Sequence, residues 1–505
     1  MPLITNLTRE YLRLRLHEID RFRQHPAEIQ AKQLRYLLNR GKGTMFGQEH
    51  RMAVITGHDK FIRQIPVVDY EHFHDYIMRT KAGEQNVIWP THIKWFAKSS
   101  GTTDAKSKYI PVSQQGLRQA HLQGPRDVVA LYLATHPQSR MLDGKTLTLG
   151  GSKKVEREGE TAFSGDLSAI LIENTPWYAN LRRVPKPQTA LIADFEEKVR
   201  RICEETVGQD VRAFAGVPSW NLVMMNKVLD YTGAKNLLEV WPNLELFMHG
   251  GMNFKPYRKQ YEALIPSGNM NYMETYNASE GFFGIADDPT RDDMLLMLDY
   301  GIYYEFLPMD SLGDTSKALP LEGVREGVNY AMIITTSNGL WRYMIGDTVE
   351  FTSTSPYRIR ITGRTKHYIN AFGEEIVIEN AESAITAAGN ATGAIIAEYS
   401  AAPVYMDGKT KGAHEWVIEF RKAPSSLEDF TRELDLALQR VNSDYEAKRF
   451  KDTTLLPPRV SMVEPGTFMA WLSSKGKLGG QNKVPRLFND RTFVDELLAQ
   501  NKKQK

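Results

Sequence analysis

Ser99-Ser100-Gly101-Thr102-Thr103-Asp104-Ala105-Lys106-Ser107-Lys108 follows an apolar, aromatic segment and runs into Tyr109-Ile110-Pro111. Small and hydroxylated residues around one glycine let successive backbone N–H groups turn inward. The result is an anion nest, to which the hydroxyls add donors and a lysine adds charge. Such a loop can hold a polyphosphate. It is not a Walker A loop, which needs a glycine directly before the lysine; here Ala105 precedes Lys106, and P-loop kinase chemistry is disfavoured. A stretch rich in Ser, Thr, Gly and Lys is equally what a plain exposed loop looks like, and a second one stands at Gly150 to Lys154.

The chain differs on the two sides of this loop. Its first ninety residues are mostly helical in pattern and end at Trp89-Pro90, a helical lead-in. Beyond Ile93, short apolar or β-branched runs (Thr146 to Leu149, Ala169 to Ile172, Leu244 to Met248, Ala331 to Thr336) read as strands and alternate with helical stretches; that alternation is α/β architecture. Between Asp299 and Gly363 the pattern turns strand-rich. Ile302 to Leu307, Ala331 to Thr336, Leu340 to Met344 and Arg358 to Thr362, separated by turns such as Ser337-Asn338-Gly339, predict a barrel-like antiparallel meander. After Thr362-Gly363-Arg364-Thr365-Lys366 the chain starts again: a helix (Ile378 to Ala387), strands (Ala394 to Tyr399, Glu415 to Phe420) and an amphipathic helix (Ser426 to Val441). The expectation is a large N-terminal α/β domain over 1–366 and a smaller α+β domain over 367–505.

Composition narrows the function. The 505 residues are 42% apolar and 25% charged, with a formal net charge of +2, so no one-sign field argues for nucleic acid or an anionic membrane. Small molecules are the expected partners. Cys203 stands alone, which excludes an internal disulfide and a CxxC pair and suits a reducing cytoplasm. The charged N-terminus, with Leu12, Leu14 and Leu16 among Arg9, Arg13, Arg15 and Glu18, reads as a surface amphipathic helix and not a signal peptide. No run of about 18 apolar residues would span a membrane.

Four more segments carry chemistry. Tyr276-Asn277-Ala278-Ser279-Glu280-Gly281-Phe282-Phe283-Gly284 sets an acid among aromatic and small residues; a carboxylate there suits Mg²⁺ beside phosphate oxygens, and a ring offers a purine a stacking face. The plain alternative is a turn between core elements. Trp341 to Asp347 ends a strand with Gly346-Asp347, and a carboxylate at a strand end can accept both hydroxyl protons of a ribose. Gly363-Arg364-Thr365-Lys366 puts an arginine fork at the domain junction, suited to ribose or phosphate, in a segment able to act as a hinge. Gly479-Gly480-Gln481-Asn482-Lys483-Val484-Pro485-Arg486 carries a lysine that can swing in and neutralise charge developing on a phosphoryl group, with Lys475 and Lys477 as rivals.

In this order the segments resemble the adenylate-forming superfamily and, within it, the auxin-responsive acyl-acid amido synthetases, the Gretchen Hagen family, over almost the full length. The family's phosphate loop begins Ser-Ser-Gly-Thr and ends in a Lys before Ile-Pro or Met-Pro, as Ser99 to Pro111 does, which makes Lys108 the family-equivalent lysine rather than Lys106. Tyr276 to Gly281 matches the second motif, Trp341 to Asp347 the third, and Gln481, Lys483, Pro485 and Arg486 the late string. His249-Gly250-Gly251-Met252 is similar to the family's glycine-containing segment near the acyl and adenine pockets.

The resemblance implies a two-step reaction with ATP and Mg²⁺. A carboxylic acid is adenylated to acyl-AMP, and an amine, commonly an amino acid, takes the acyl group as an amide. It further implies that Ser99, Ser100, Gly101, Thr102, Thr103 and Lys108 serve phosphate, Glu280 the metal, Tyr276 and Ser279 the adenine side, and Asp347 and Arg364 the ribose. Lys483 would reach the α-phosphate from a mobile C-terminal domain. The acyl pocket is expected around Gly251, Met252 and Phe282, although Met224, Met252, Phe282 and Phe283 are also what a plain core shows. The expected enzyme is a cytoplasmic monomer. An acyl-CoA ligase, which shares the first half-reaction, and a non-catalytic nucleotide-binding sensor are the rival readings.

Overall fold

A computed structural model of the protein describes residues 2–504 apart from 101–106, 150–154, 159–160, 193, 253, 256, 366–367, 408–409, 453 and 475–485. Gly101, Thr102, Thr103, Lys483 and the expected domain boundary at 366–367 lie outside the described residues.

The lead-in is helical as its pattern requires, with helices Pro2–Gln24, Pro26–Gly41, His58–Gln64 and Tyr70–Lys81. Proline opens the second, and the Asp69 side chain caps the last by accepting from the His72 N–H. The first helix is less of a surface element than its charges suggest: Ile19 and Phe22 are buried, and Arg15 pairs with Asp127 at 2.8 Å. One arginine docks the lead-in onto the sheet. Buried Arg342 donates from Nε and Nη2 to the Glu305 carboxylate, both at 2.8 Å, and from Nη1 to the carbonyls of Ile65 at 2.8 Å and Ile62 at 3.2 Å. Beside it Trp341 is fully buried, its Nε1–H donating to the Ile88 carbonyl.

A twelve-stranded sheet organises the chain. Asn271–Ala278, Leu246–Gly250, Val211–Gly216, Lys145–Thr148 and the edge strand Arg183–Val184 run parallel. From Gly281–Ile285 onward every pairing is antiparallel, through Met294–Leu296, Tyr357–Arg364, Tyr343–Thr354, Asn329–Thr336 and Ile302–Pro308. The expected meander is therefore a continuation of the parallel sheet. Its direction switches at the two-residue turn Ser279-Glu280, and the crevice at the carboxyl ends of the parallel strands is where such sheets hold ligands.

Two strand expectations are corrected. Ala169 to Ile172 lies in the helix Leu167–Asn174; a short apolar run does not distinguish a buried strand from a buried helix. The strand expected over Leu340 to Met344 and closed by Gly346-Asp347 instead begins at Tyr343 and runs to Thr354. Gly346, at φ +91°, marks an irregularity in mid-strand, where the pairing jumps from Ala331–Thr348 to Ile333–Met344. The glycine is a bulge former and not a stop signal.

Beyond residue 367, Ile395–Val404, Ala413–Lys422 and Arg459–Val463 form a three-stranded sheet, with helices Ile378–Thr392 and Leu427–Val441 packed together. This part abuts the rest closely: Tyr257 Oη donates to the Ala371 carbonyl at 2.7 Å and Ser219 Oγ to that of Phe372 at 3.2 Å.

Candidate active site

The strands flanking the phosphate-type loop, Trp95–Ser100 and Ser107–Val112, pair antiparallel with Ser99 opposite Lys108 and Ser100 opposite Ser107. The strands that lead into and out of the loop are thus a paired ladder, anchored where the Tyr109 N–H donates to Tyr70 Oη at 2.9 Å. The Lys108 ammonium lies 5.4 Å from the Tyr70 ring centroid. Burial lowers its pKa, and the facing Glu280 carboxylate acts in the opposite sense.

Glu280 occupies the switch-point turn between Asn271–Ala278 and Gly281–Ile285, held open by the pairing of Ala278 with Gly281. Burial pushes its carboxyl up to about 7, against Lys108 and Arg364, which favour the ionised form, and with Asp347 adding to the rise. Buried Asn338 fixes the turn: its Nδ2 donates to the Glu280 carbonyl at 3.2 Å while its Oδ1 accepts from the Ser113 N–H at 2.9 Å, just past the phosphate hairpin. Gly116 is required here, since a Cβ would stand 1.9 Å from Asn338 Oδ1.

Asp347 and Arg364 face each other across paired strands. Arg364 Nε donates to Asp347 Oδ1 at 2.9 Å, Tyr276 Oη donates to Asp347 Oδ2 at 2.7 Å, and Arg364 Nη2 donates to Glu375 Oε1 at 3.2 Å. Burial raises the Asp347 pKa while Arg364 and Tyr276 oppose the rise. Tyr276 sits edge-on to Phe283, centroids 4.8 Å apart, so it orients Asp347, a part the sequence reading did not give it.

A cavity of about 1530 Å³ opens beyond the carboxyl ends of the parallel strands, lined there by Gly216, Met248, Gly250, Gly251 and Phe282. Phe282 rests on the helix Gln123–Thr135 at Gly124, where a Cβ would come within 2.4 Å of the ring. Met252, expected beside them, is packed into the hydrophobic core instead; in a run read without geometry a lining and a core methionine look the same. Ser443 and Lys448, from the C-terminal part, reach the same cavity.

The structure thus gathers Lys108, Glu280, Tyr276, Asp347 and Arg364 at one point, with Ser99 at the hairpin and Gly251 and Phe282 in the adjoining cavity. Ser279 lies within reach of the buried His121 ring through its backbone. As site residues Asn338, Glu375 and His121 went unread, and His249 was named only as the first residue of its glycine-containing segment. Asn338 sits in a turn tripeptide, where Asn is expected for turn reasons alone, and nothing local marks Glu375.

Residues 15–270 match the model of the GH3 family N-terminal domain, 295–364 that of the GH3 family central domain and 379–492 that of the GH3 family C-terminal domain. The chain belongs to the GH3 family. This GH3 protein is 24% identical to the indole-3-acetic acid-amido synthetase GH3.8 of Oryza sativa subsp. indica, over 96% of this chain and 92% of that one. With the indole-3-acetic acid-amido synthetase GH3.4 of Arabidopsis thaliana it shares 23% identity over 93% and 90%. Among solved structures, the GH3.15 acyl acid amido synthetase in complex with 2,4-DB superposes with a TM-score of 0.59 at 18% identity, covering 94% of this chain and 93% of that one. A 2-hydroxyisobutyryl-CoA ligase in its thioesterification state superposes at 0.55 and 14% identity, covering 95% and 92%. These likenesses place the GH3 chain in the adenylate-forming fold.

Proposed function

We propose that this GH3 protein is an ATP-dependent acid–amino acid ligase that adenylates a carboxylic acid and passes the acyl group to an amine, an amino acid, to form an amide. The observation that carries the reading is the convergence of Lys108, Glu280, Asp347 and Arg364 at the sheet's switch point, opening onto a large cavity. ATP with Mg²⁺ supplies the α-phosphorus that the substrate carboxylate attacks, with pyrophosphate as leaving group.

The chain's own part is positioning and charge neutralisation. Lys108 and the hairpin hydroxyls and N–H groups, among them those of Ser99 and Ser100, hold phosphate oxygens. Asp347, aimed by Tyr276 and Arg364, accepts the ribose hydroxyls, and the Tyr276 side of the turn meets the adenine. Glu280 fits a divalent cation: burial pushes its carboxyl up to about 7 even with Lys108 and Arg364 favouring the ionised form, and a bound cation would favour that form further. Among the described residues no cluster of three His, Cys, Asp or Glu side chains competes for a metal. A single carboxylate suits Mg²⁺, which keeps waters and phosphate oxygens as its other ligands. Lys483 is assigned to the α-phosphate, carried by a C-terminal unit from 367 onward that turns between the two steps. In the amide step the amine attacks the acyl carbon, AMP leaves and the amine gives up a proton.

The near balance of charge and the lone cysteine support a cytoplasmic monomer whose partners are small molecules; among the described residues no helix is long and apolar enough to cross a membrane. The test is an acid-dependent ATP–pyrophosphate exchange screen, followed by products with mixed amino acids or CoA read by mass. Amide formation is expected, thioester as sole product would overturn the amide step, and absence of exchange with every acid would overturn the ligase. Lys483→Ala should cut adenylation while ATP still binds.

A further inference from the structure

The cavity has a second end. The edge strand Arg183–Val184 lies four strand spacings from Asn271–Ala278, in the order Asn271–Ala278, Leu246–Gly250, Val211–Gly216, Lys145–Thr148, Arg183–Val184. At the usual 4.8 Å between strands that is about 19 Å from the adenylation point. Arg183 and Lys198 both line this end of the cavity. Nε and Nη2 of Arg183 are sealed from solvent and have no hydrogen-bond partner among the described residues. Its Nη1 reaches Thr175 Oγ1 only at 3.4 Å. Burial alone lowers its pKa; no acidic side chain acts on it. Lys198 is 2% exposed, lies 6.0 Å from the Trp220 ring, and is drawn down to about 8 by burial, with Asp166 acting against the fall. Guanidinium nitrogens sealed from water with no partner are a costly arrangement that proteins keep where something else completes it.

We propose that Arg183, with Lys198 beside it, binds a substrate carboxylate other than the one that is adenylated. This rests on the ligase reading, since it supplies the cavity's two substrates. At that distance the carboxylate is the far end of the acyl acid, which would then be a dicarboxylic acid; the α-carboxylate of an attacking amino acid stays within a few bonds of the acyl carbon and does not reach. A turn of the Arg183 side chain, which already lines the cavity, would present its planar fork to that carboxylate.

Two assays on the whole enzyme test the assignment. In the first half-reaction, pyrophosphate exchange is measured with α,ω-diacids of graded length against their monoamides. In the second, amide formation is measured with amino acids against the matching amino-acid amides, at saturating acid and ATP. The wild-type enzyme should prefer the diacid over its monoamide by at least about tenfold in kcat/KM in the first assay, mainly through KM. Arg183→Met should bring that ratio close to one, and Arg183→Lys should restore part of it. A wild-type ratio near one in the first assay, which needs no variant, overturns the proposal, as does a preference found only in the second; so does a diacid preference that survives Arg183→Met. Should exchange fail with every acid, the ligase reading falls by itself. Equilibrium dialysis of radiolabelled diacids then decides the site: binding by the wild type that Arg183→Met loses upholds it, and equal or absent binding overturns it.

Discussion

Replacing Arg342 with Met removes the clasp between the helical lead-in and the sheet. Arg342 makes two charge-assisted hydrogen bonds to Glu305 and two to the carbonyls of Ile62 and Ile65, and both partners are almost fully buried, at 3% and 1% exposure. The substitution leaves the Glu305 carboxylate stranded, a loss of about 3–5 kcal/mol, and each orphaned carbonyl adds about 1 kcal/mol. The expected total is about 5–7 kcal/mol. The double variant Arg342→Met with Glu305→Leu strands no charge and should recover about half of that. Urea unfolding followed by tryptophan fluorescence reports the clasp directly, because Trp341 and Trp89 lie beside it with ring centroids 6.3 Å apart. A single variant within about 1 kcal/mol of wild type, or a double variant no more stable than the single, would refute the assignment.

Tyr276→Phe deprives Asp347 Oδ2 of its 2.7 Å donor; a cost of about 1–2 kcal/mol in stability and a several-fold rise in the nucleotide KM are expected, checked by urea titration and exchange kinetics. Gly124→Ala puts a methyl 2.4 Å from the Phe282 ring and should drive that ring into the cavity, lowering kcat/KM for bulky acids more than for small ones across an acid panel. His249, stacked on Phe254 at 4.2 Å, is held neutral, its pKa drawn down to about 3 by burial with Arg258 assisting. The unfolded chain takes up the proton below about 6.5 and the folded chain does not, so stability falls as pH drops through that value. Between pH 7 and 5 the loss is about 2 kcal/mol, and His249→Phe should shrink it in urea titrations at the two pH values.

The α/β alternation, the helical lead-in and the strand pair with its amphipathic helix in the C-terminal part were readable because each rests on periodicity, which a sequence displays directly. The charged positions of the site were readable for a different reason: Lys108, Glu280, Asp347 and Arg364 stand in short strings that each also fit plain structure, and only their order along the chain resembles one family's motifs. What escaped depends on partners far along the chain. Gly346 looks like a strand end until its neighbour's register shows a bulge. Arg342, inside a motif, works for the fold because Glu305 and the carbonyls of Ile62 and Ile65 surround it. Arg183 sits in an unremarkable Arg-Arg pair, and only its burial without a partner singles it out.

Arg364 answers to two acids, one on each side of the segment 366–367. If the part carrying Glu375 swings away, the guanidinium gives up one bond and keeps Asp347, so the motion exposes no orphaned charge. Such an arrangement behaves as a detent: it favours one pose of the C-terminal part by a modest margin, and it leaves the Asp347 carboxylate in place whichever pose is taken.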